Sequence, residues 1–188
     1  MKHLPNIISV LRILLVIPTV DFLWHNEYAK ALTIFFIAGA SDGLDGFLAR
    51  RYGWMSRLGS VLDPLADKLL MTAIYLTLGL MGHLPAWLVA LVIGRDAVII
   101  SGAVAYRLLL REITMQHLLI SKLNTGVQIL LVLLLIYHLS SFPLATDIPA
   151  QLITILVYCV TFTTIASGVA YVIIWSKRAR TIYKARTQ

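Results

Sequence analysis

The chain has 188 residues, of which 59% are hydrophobic and 13% are charged, and its formal net charge at pH 7 is +7. Soluble domains carry about 25% charged residues, so this composition excludes an ordinary water-soluble protein. A net positive charge is also typical of nucleic-acid-binding proteins. In so apolar a chain, however, basic residues usually flank membrane helices and face anionic headgroups. We therefore expect a lipid bilayer, and no nucleic acid, as its partner.

Breaks in the hydrophobicity predict an all-α integral membrane protein with six transmembrane helices, each of about 20 residues. In chain order the predicted spans are 6–24, 28–50, 58–81, 84–108, 121–139 and 150–176. Together they form one domain over residues 1–188. Asn6 and Arg12 interrupt the first span, which favours an interfacial segment leading into a shorter true span. The segment 140–149 contains serines, prolines and Asp147 and has the composition of a loop.

The distribution of lysine and arginine predicts the orientation. With the N-terminus inside, the cytoplasmic segments hold most of the basic residues, and the outside loops hold little beyond Lys30. This bias favours a multi-pass protein of the cell inner membrane with both termini in the cytoplasm. The basic tail, 177–186, is best interpreted as a topology anchor on anionic lipid.

Four aspartates stand out, because ionisable residues in membrane helices are costly and therefore candidates for function. Asp42 and Asp45 are three residues apart, and Asp63 and Asp67 are four apart, so each pair shares one face of its helix. A short basic link makes the two helices antiparallel neighbours. We therefore expect the four carboxylates to converge near the cytoplasmic side of the membrane.

Four close carboxylates cannot all remain ionised without compensation by protons or cations. Oxygen donors favour Mg²⁺, Mn²⁺ or Ca²⁺, and no histidine or cysteine stands at a spacing that would favour zinc. Two such ions suit displacement at phosphorus, while one carboxylate accepts the proton of an attacking hydroxyl. Ion pairing with Arg50, Arg51 and Lys68 is the simpler alternative, but it would satisfy only one or two of the aspartates.

Small residues beside the aspartates leave room for a flat ring or a ribose. They are Gly46, Ala49 and Gly59. Taken singly, each is better explained by close helix packing, which small residues commonly serve in membranes. Beside four carboxylates and Arg50, a nucleotide pocket becomes the stronger interpretation.

The segment resembles the signature of the CDP-alcohol phosphatidyltransferase family, D-x2-D-G-x2-A-R-x8-G-x3-D-x3-D. Every fixed position of that pattern is filled, by Asp42, Asp45, Gly46, Ala49, Arg50, Gly59, Asp63 and Asp67. A pattern with this many constrained positions is far more specific than a lone glycine motif.

The resemblance implies roles for these residues. Asp42, Asp45 and Asp63 would hold two Mg²⁺ or Mn²⁺ ions, and Asp67 would complete the metal site and accept the proton of the incoming alcohol. The cytidine diphosphate of CDP-diacylglycerol would be bound by Asn6, Gly46, Ala49, Arg50, Ser56 and Gly59. CMP would leave, and the protein would be a homodimer, as family members typically are.

The second half of the chain bears on the acceptor alcohol. Gly94-Arg95-Asp96 and residues 120–128 resemble the cardiolipin synthases of this family, which favours phosphatidylglycerol. The glycerophosphate enzymes usually have Arg-Glu at the first site and a second lysine where this chain has Asn124. Candidate ligands for an anionic, glycerol-type acceptor are Arg95, Arg107, Arg111 and Lys122.

Alternatives remain open. Arg95 could simply pair with Asp96, and Arg107 and Arg111 could serve topology. Phosphatidylglycerophosphate synthesis from glycerol-3-phosphate is the close rival, and inositol-type acceptors are less favoured. A divalent cation transporter is a distant alternative from another class. A transport path needs polar groups across the whole membrane, whereas the aspartates cluster at one predicted end.

Overall fold

The computed structural model describes the backbone of residues 4–52, 59–110, 119–140 and 148–186. It describes their side chains except at 4–8, 42–52, 59–64, 103, 105–110 and 177–186. Within these ranges the secondary structure is six helices and no strand: α1 (Leu4–Trp24), α2 (Tyr28–Tyr52), α3 (Gly59–Leu80), α4 (Ala86–Leu110), α5 (Leu119–Leu139) and α6 (Ala150–Arg186). The all-α prediction is confirmed, with one helix for each predicted span.

The chain divides into two compact units. The first unit comprises Met1–Pro85 and Val132–Pro149, and the second comprises Ala86–Leu131 and Ala150–Gln188. In the first unit α1 packs against both α2 and α3, and in the second α4 packs against α6. The single domain expected over 1–188 stays a prediction.

Helix α1 buries polar residues and exposes apolar ones. Ser9, Arg12 and Thr19 are at most 2% exposed and share one face of the helix with buried Leu23. The opposite face carries Leu14 and Ile17, which are 56% and 70% exposed. Large exposed apolar surfaces are unusual in water, whereas membrane helices keep their polar groups toward the protein interior.

Two turns of the first unit end helices α1 and α3 in the same way. After α1, Asn26 has a φ of 60°, and the amide of Glu27 donates to the carbonyl of Phe22 at 2.8 Å. After α3, Gly82 has a φ of 80°, and the amide of His83 donates to the carbonyl of Leu78 at 2.9 Å. These are Schellman motifs, which satisfy carbonyls left over at a helix end.

A hydrogen bond connects these two turns. The Tyr28 hydroxyl lies 2.9 Å from Nε2 of His83 and 2.7 Å from Oδ1 of Asn26. The two rings also meet edge to face, with centroids 5.8 Å apart. The turns after α1 and α3 are thereby tied together at the end of the first unit opposite to the signature.

Among the described residues, two helical segments are long and apolar enough to cross a membrane. They are Leu119–Leu139 and Ala150–Ser176, and Tyr28–Ser41 is a shorter apolar segment. Both long segments agree with the fifth and sixth predicted spans. The helix α6 continues through the basic tail to Arg186. The six-span topology as a whole stays a prediction.

A close approach in the second unit generates a stability prediction. A Cβ atom at Gly102 of α4 would overlap the indole ring of Trp175 on α6. We expect Gly102→Ala to lower the free energy of unfolding by about 1–3 kcal/mol, because overpacking forces side chains or backbone to shift. Thermal unfolding in detergent micelles measures the change.

The matched control is Gly94→Ala on the same helix, where a Cβ meets nothing within 4 Å. Adding Trp175→Leu to Gly102→Ala should restore stability. An unchanged midpoint for Gly102→Ala would contradict the close approach.

Candidate active site

The two aspartate pairs lie on two helices of the first unit. Asp42 and Asp45 belong to α2, and Asp63 and Asp67 belong to α3. Because both segments are helical, spacings of three and four residues keep each pair on one helix face. The side chains of Asp42, Asp45 and Asp63 lie outside those that the structure describes, whereas that of Asp67 lies within.

Asp67 pairs with an arginine of the first helix. Nη1 of Arg12 donates to Oδ1 of Asp67 at 2.6 Å, a short, charge-assisted contact. The Arg12 side chain is 2% exposed and the Asp67 side chain is 48% exposed. The pair therefore has a buried cation and a half-open carboxylate.

This partner adds to those that the sequence suggests, Arg50, Arg51 and Lys68, of which the side chains of Arg50 and Arg51 lie outside those described. In the sequence alone, Arg12 interrupts the first span and has no assigned partner. A signal for its role was present, because a guanidinium in an apolar helix requires a counter-charge. The spacing within the signature could not identify that counter-charge, since 55 residues separate Arg12 from Asp67.

The nucleotide-binding candidates are only partly within the described residues. Asn6 lies on α1, Gly46, Ala49 and Arg50 lie on α2, and Gly59 begins α3. Their side-chain positions are not described, and Ser56 lies outside the described residues altogether. Their nucleotide contacts stay a prediction.

In the second unit Arg95 forms a buried polar cluster. Its Nη1 donates to Oδ1 of Asp96 at 2.6 Å, and its Nη2 donates to the hydroxyls of Ser121 and Ser167, each at 2.6 Å. The Arg95 guanidinium also lies 6.0 Å from the ring centroid of Tyr171. The ion pair between Arg95 and Asp96, expected as an alternative to acceptor binding, is confirmed.

A second polar contact lies between α5 and α6. Asn124 is fully buried, and its Oδ1 accepts hydrogen bonds from Thr163 at 2.8 Å and Thr164 at 2.9 Å. Gln128, one turn further along α5, is 2% exposed. An apolar helix that buries its few polar side chains against another helix is using them as interhelical contacts.

The remaining acceptor candidates differ in their surroundings. Lys122 on α5 is exposed, Arg107 lies on α4 with its side chain not described, and Arg111 lies outside the described residues. A groove of about 450 Å³ along α4 and α6 is lined mainly by apolar side chains, with Arg95 and Thr164 among its lining residues. Acceptor binding by these cations stays a prediction.

The comparison with protein families identifies the family of this chain. A model described as CDP-alcohol phosphatidyltransferase matches residues 2–183. The chain belongs to this family. The family is membrane-associated and generally depends on divalent metals, which agrees with the exposed apolar faces and with the carboxylate signature.

Three relatives illustrate the similarity. A fusion protein of Schizosaccharomyces pombe, named cardiolipin synthase (CMP-forming) / mitochondrial hydrolase, is 37% identical over 186 residues, which are 90% of this chain and 30% of that protein. Cardiolipin synthase (CMP-forming) of Rattus norvegicus is 34% identical over 89% of this chain and 60% of that protein.

The third relative is the CDP-diacylglycerol--glycerol-3-phosphate 3-phosphatidyltransferase of Pseudomonas fluorescens, which is 42% identical over 52% of this chain and 52% of that protein. The chain thus spans between 30% and 60% of the length of these relatives. The name of the third relative states glycerol-3-phosphate as its acceptor, whereas the names of the other two state cardiolipin as their product.

The buried Arg95–Asp96 pair generates a prediction. The Asp96 side chain is 10% exposed and that of Arg95 is 4% exposed. Replacing Asp96 with leucine leaves a buried guanidinium without its counter-charge, which we expect to cost about 3–5 kcal/mol of unfolding free energy. Thermal or denaturant unfolding in micelles measures the loss.

The double variant Arg95→Met/Asp96→Leu should be less destabilised than Asp96→Leu, because it removes both charges. Ser101→Ala, an exposed position on the same helix, is the matched control. Equal stability of Asp96→Leu and the wild type would contradict the buried pair.

Proposed function

We propose that this protein transfers a phosphatidyl group from CDP-diacylglycerol to the hydroxyl of a glycerol-type alcohol and releases CMP. The observation that carries the proposal is the placement of both aspartate pairs on α2 and α3 of one compact unit, in a chain of this family. Two relatives whose alignments cover 90% and 89% of this chain have names that describe CMP-forming enzymes.

The proposed metal site consists of Asp42, Asp45, Asp63 and Asp67. Aspartate oxygens are hard donors and suit Mg²⁺ or Mn²⁺, and the half-open Asp67 carboxylate is accessible to a ligand. Two bound ions would neutralise the phosphate oxygens and stabilise the leaving group. The side chains of Asp42, Asp45 and Asp63 lie outside those described, and the described residues contain no group of three histidine, cysteine or acidic side chains that could hold a metal. We therefore assign the four ligands from the sequence signature.

In the proposed reaction Asp67 takes the proton of the acceptor hydroxyl. The hydroxyl oxygen forms the new bond to the phosphorus of the phosphatidyl group. The bond breaks between that phosphorus and the oxygen that joins the two phosphorus atoms of the diphosphate, and CMP leaves with the electron pair. We assign the cytidine diphosphate to Asn6, Gly46, Ala49, Arg50, Ser56 and Gly59.

For the acceptor we propose phosphatidylglycerol, which makes the product cardiolipin. Glycerol-3-phosphate is a small dianion, and binding it calls for clustered cations. Asn124 supports phosphatidylglycerol instead, because its side chain is a neutral, fully buried amide that bonds two threonine hydroxyls. Glycerol-3-phosphate is the second candidate, supported by the name of the Pseudomonas fluorescens relative. We assign acceptor recognition to Arg107, Arg111 and Lys122, and retain Arg95 as a weaker candidate because its guanidinium already bonds within the protein.

We further propose a single domain with six transmembrane spans, both termini in the cytoplasm and an active site on the cytoplasmic side. Exposed apolar side chains on α1, α2, α4 and α6 support contact with lipid; among them are Ile17, Phe36, Ile100 and Phe162. We also propose a location in the cell inner membrane and a homodimer, of which the homodimer is what the family resemblance implies.

The acceptor assignment is tested directly with the purified protein in mixed micelles containing Mg²⁺ and CDP-diacylglycerol. We expect CMP release when phosphatidylglycerol is added, with cardiolipin as the lipid product. Release with glycerol-3-phosphate but not with phosphatidylglycerol would overturn the acceptor assignment. No release with either acceptor would count against the proposed reaction.

The metal ligands are tested by Asp45→Asn and Asp63→Asn. We expect kcat to fall on the order of 100-fold or more, since even the outer-shell partners of metal ligands cost about 10–100-fold when removed. The fold should persist, because removing one anion relieves repulsion in the cluster. CMP release and thermal unfolding are measured together.

Asp21→Asn is the matched control, because Asp21 is an exposed carboxylate on α1 that pairs with His25 at 3.3 Å. It should retain wild-type turnover. Chelation of divalent ions should abolish CMP release and re-addition of Mg²⁺ should restore it. Full turnover by Asp45→Asn in saturating Mg²⁺ is incompatible with its assigned role.

A further inference from the structure

We propose that Arg12 is a positioning residue for phosphatidyl transfer, which fixes the orientation of the Asp67 carboxylate so that it can accept the proton of the alcohol. The inference rests on the proposed function and adds to it a residue of α1, outside the signature. Arg12 acts through Asp67 and does not itself touch the reacting atoms.

The unequal burial of the two partners carries the proposal. The Arg12 side chain is 2% exposed, while the Asp67 side chain is 48% exposed. Enclosing both partners of an ion pair costs desolvation energy, and screening weakens a pair that has an exposed partner, so this contact is not a strong source of stability. Here one carboxylate oxygen is held from within the protein while about half of the side chain stays accessible.

The first unit holds Arg12 in a defined place. Arg12 shares the buried face of α1 with Ser9, Thr19 and Leu23, and α1 packs against both α2 and α3. Those two helices carry the four aspartates. The packing of these helices therefore encloses the guanidinium beside Asp67.

Arginine suits this task because it remains charged and has a planar, rigid head. Its Nη1 lies 2.6 Å from Oδ1 of Asp67, which restrains the rotation of the carboxylate about its side-chain bonds. Catalytic groups must be held to within a few tenths of an ångström by supporting residues to act efficiently. Loss of Arg12 would remove this restraint while leaving Asp67 in place.

The experiment compares the wild type, Arg12→Gln and Arg12→Lys as full-length proteins in mixed micelles. CMP release gives kcat and KM for CDP-diacylglycerol, and titration with Mn²⁺ followed by electron paramagnetic resonance gives metal affinity without turnover. For Arg12→Gln we expect kcat to fall about 10–100-fold, the range found for residues that orient a ligand. The KM should stay within about threefold, because substrate binding is not removed.

The Mn²⁺ affinity of Arg12→Gln should stay near that of the wild type, because Asp42, Asp45 and Asp63 remain in place and a cation next to Asp67 has been removed. Arg12→Lys should give a kcat between those of Arg12→Gln and the wild type, because lysine keeps the charge but lacks the rigid fork. Thr19→Val is the matched control: Thr19 is a buried polar residue on the same face of α1, and its hydroxyl bonds the carbonyl of Leu15. It should retain wild-type kcat.

A wild-type kcat for Arg12→Gln would overturn the inference. A loss of kcat in Arg12→Gln that is accompanied by losses of Mn²⁺ affinity and of the thermal midpoint would also overturn it, because that outcome indicates a purely structural role. Should Arg12→Gln not fold, Arg12→Lys decides: a folded variant with wild-type kcat contradicts the positioning role. If the wild type itself releases no CMP, the proposed function has failed instead.

Discussion

The structure depends on one constraint: a charge buried among apolar side chains must be compensated by another part of the protein. The first unit meets it with Arg12 and Asp67, and the second unit with Arg95 and Asp96. The two pairs have different forms. Arg95 and Asp96 are both nearly enclosed, and the arginine also bonds Ser121 and Ser167. Arg12 is enclosed while its partner remains half open, which is the form that the proton-accepting role proposed for Asp67 requires.

The same constraint explains the distribution of polar residues. The described helices bury several serine, threonine, asparagine and glutamine side chains among leucines and isoleucines, while other leucines, isoleucines and phenylalanines stay exposed. In lipid there is no hydrophobic force that brings helices together, so close packing and interhelical hydrogen bonds must hold them. The approach of Gly102 to Trp175 is an example of close packing. The contact of Asn124 with Thr163 and Thr164 is an example of interhelical hydrogen bonding.

Much of the fold could be predicted from the sequence, because hydrophobic runs of about 20 residues mark helices directly. Each of the six predicted spans corresponds to one helix, with ends that differ by about two residues or less except at the end of α6. The continuation of α6 to Arg186 was not predicted, since the basic tail ends the apolar signal while the helical backbone continues. The Schellman motifs after Trp24 and Leu80 depend on backbone angles that composition does not give.

The candidate site could be predicted only where its residues are close in the chain. The signature spacing gave the aspartate pairs on α2 and α3, and the adjacency of Arg95 and Asp96 suggested their contact. By contrast, the partner of Arg12 depends on how α1 packs against α3, and the serines that bond Arg95 lie 26 and 72 residues away. Such contacts are properties of the tertiary structure, and local spacing carries no information about them.

The separation of Arg12 from Asp67 also has a consequence for biogenesis. Chains emerge N-terminus first, at about 5–20 residues per second, so α1 is made several seconds before the counter-charge on α3. In the bilayer that we propose for this chain, α1 would then carry an uncompensated guanidinium until α3 arrives. Helix α1 would remain at the headgroup level or beside the insertion machinery during this time. It would insert stably into the hydrocarbon core only together with α3.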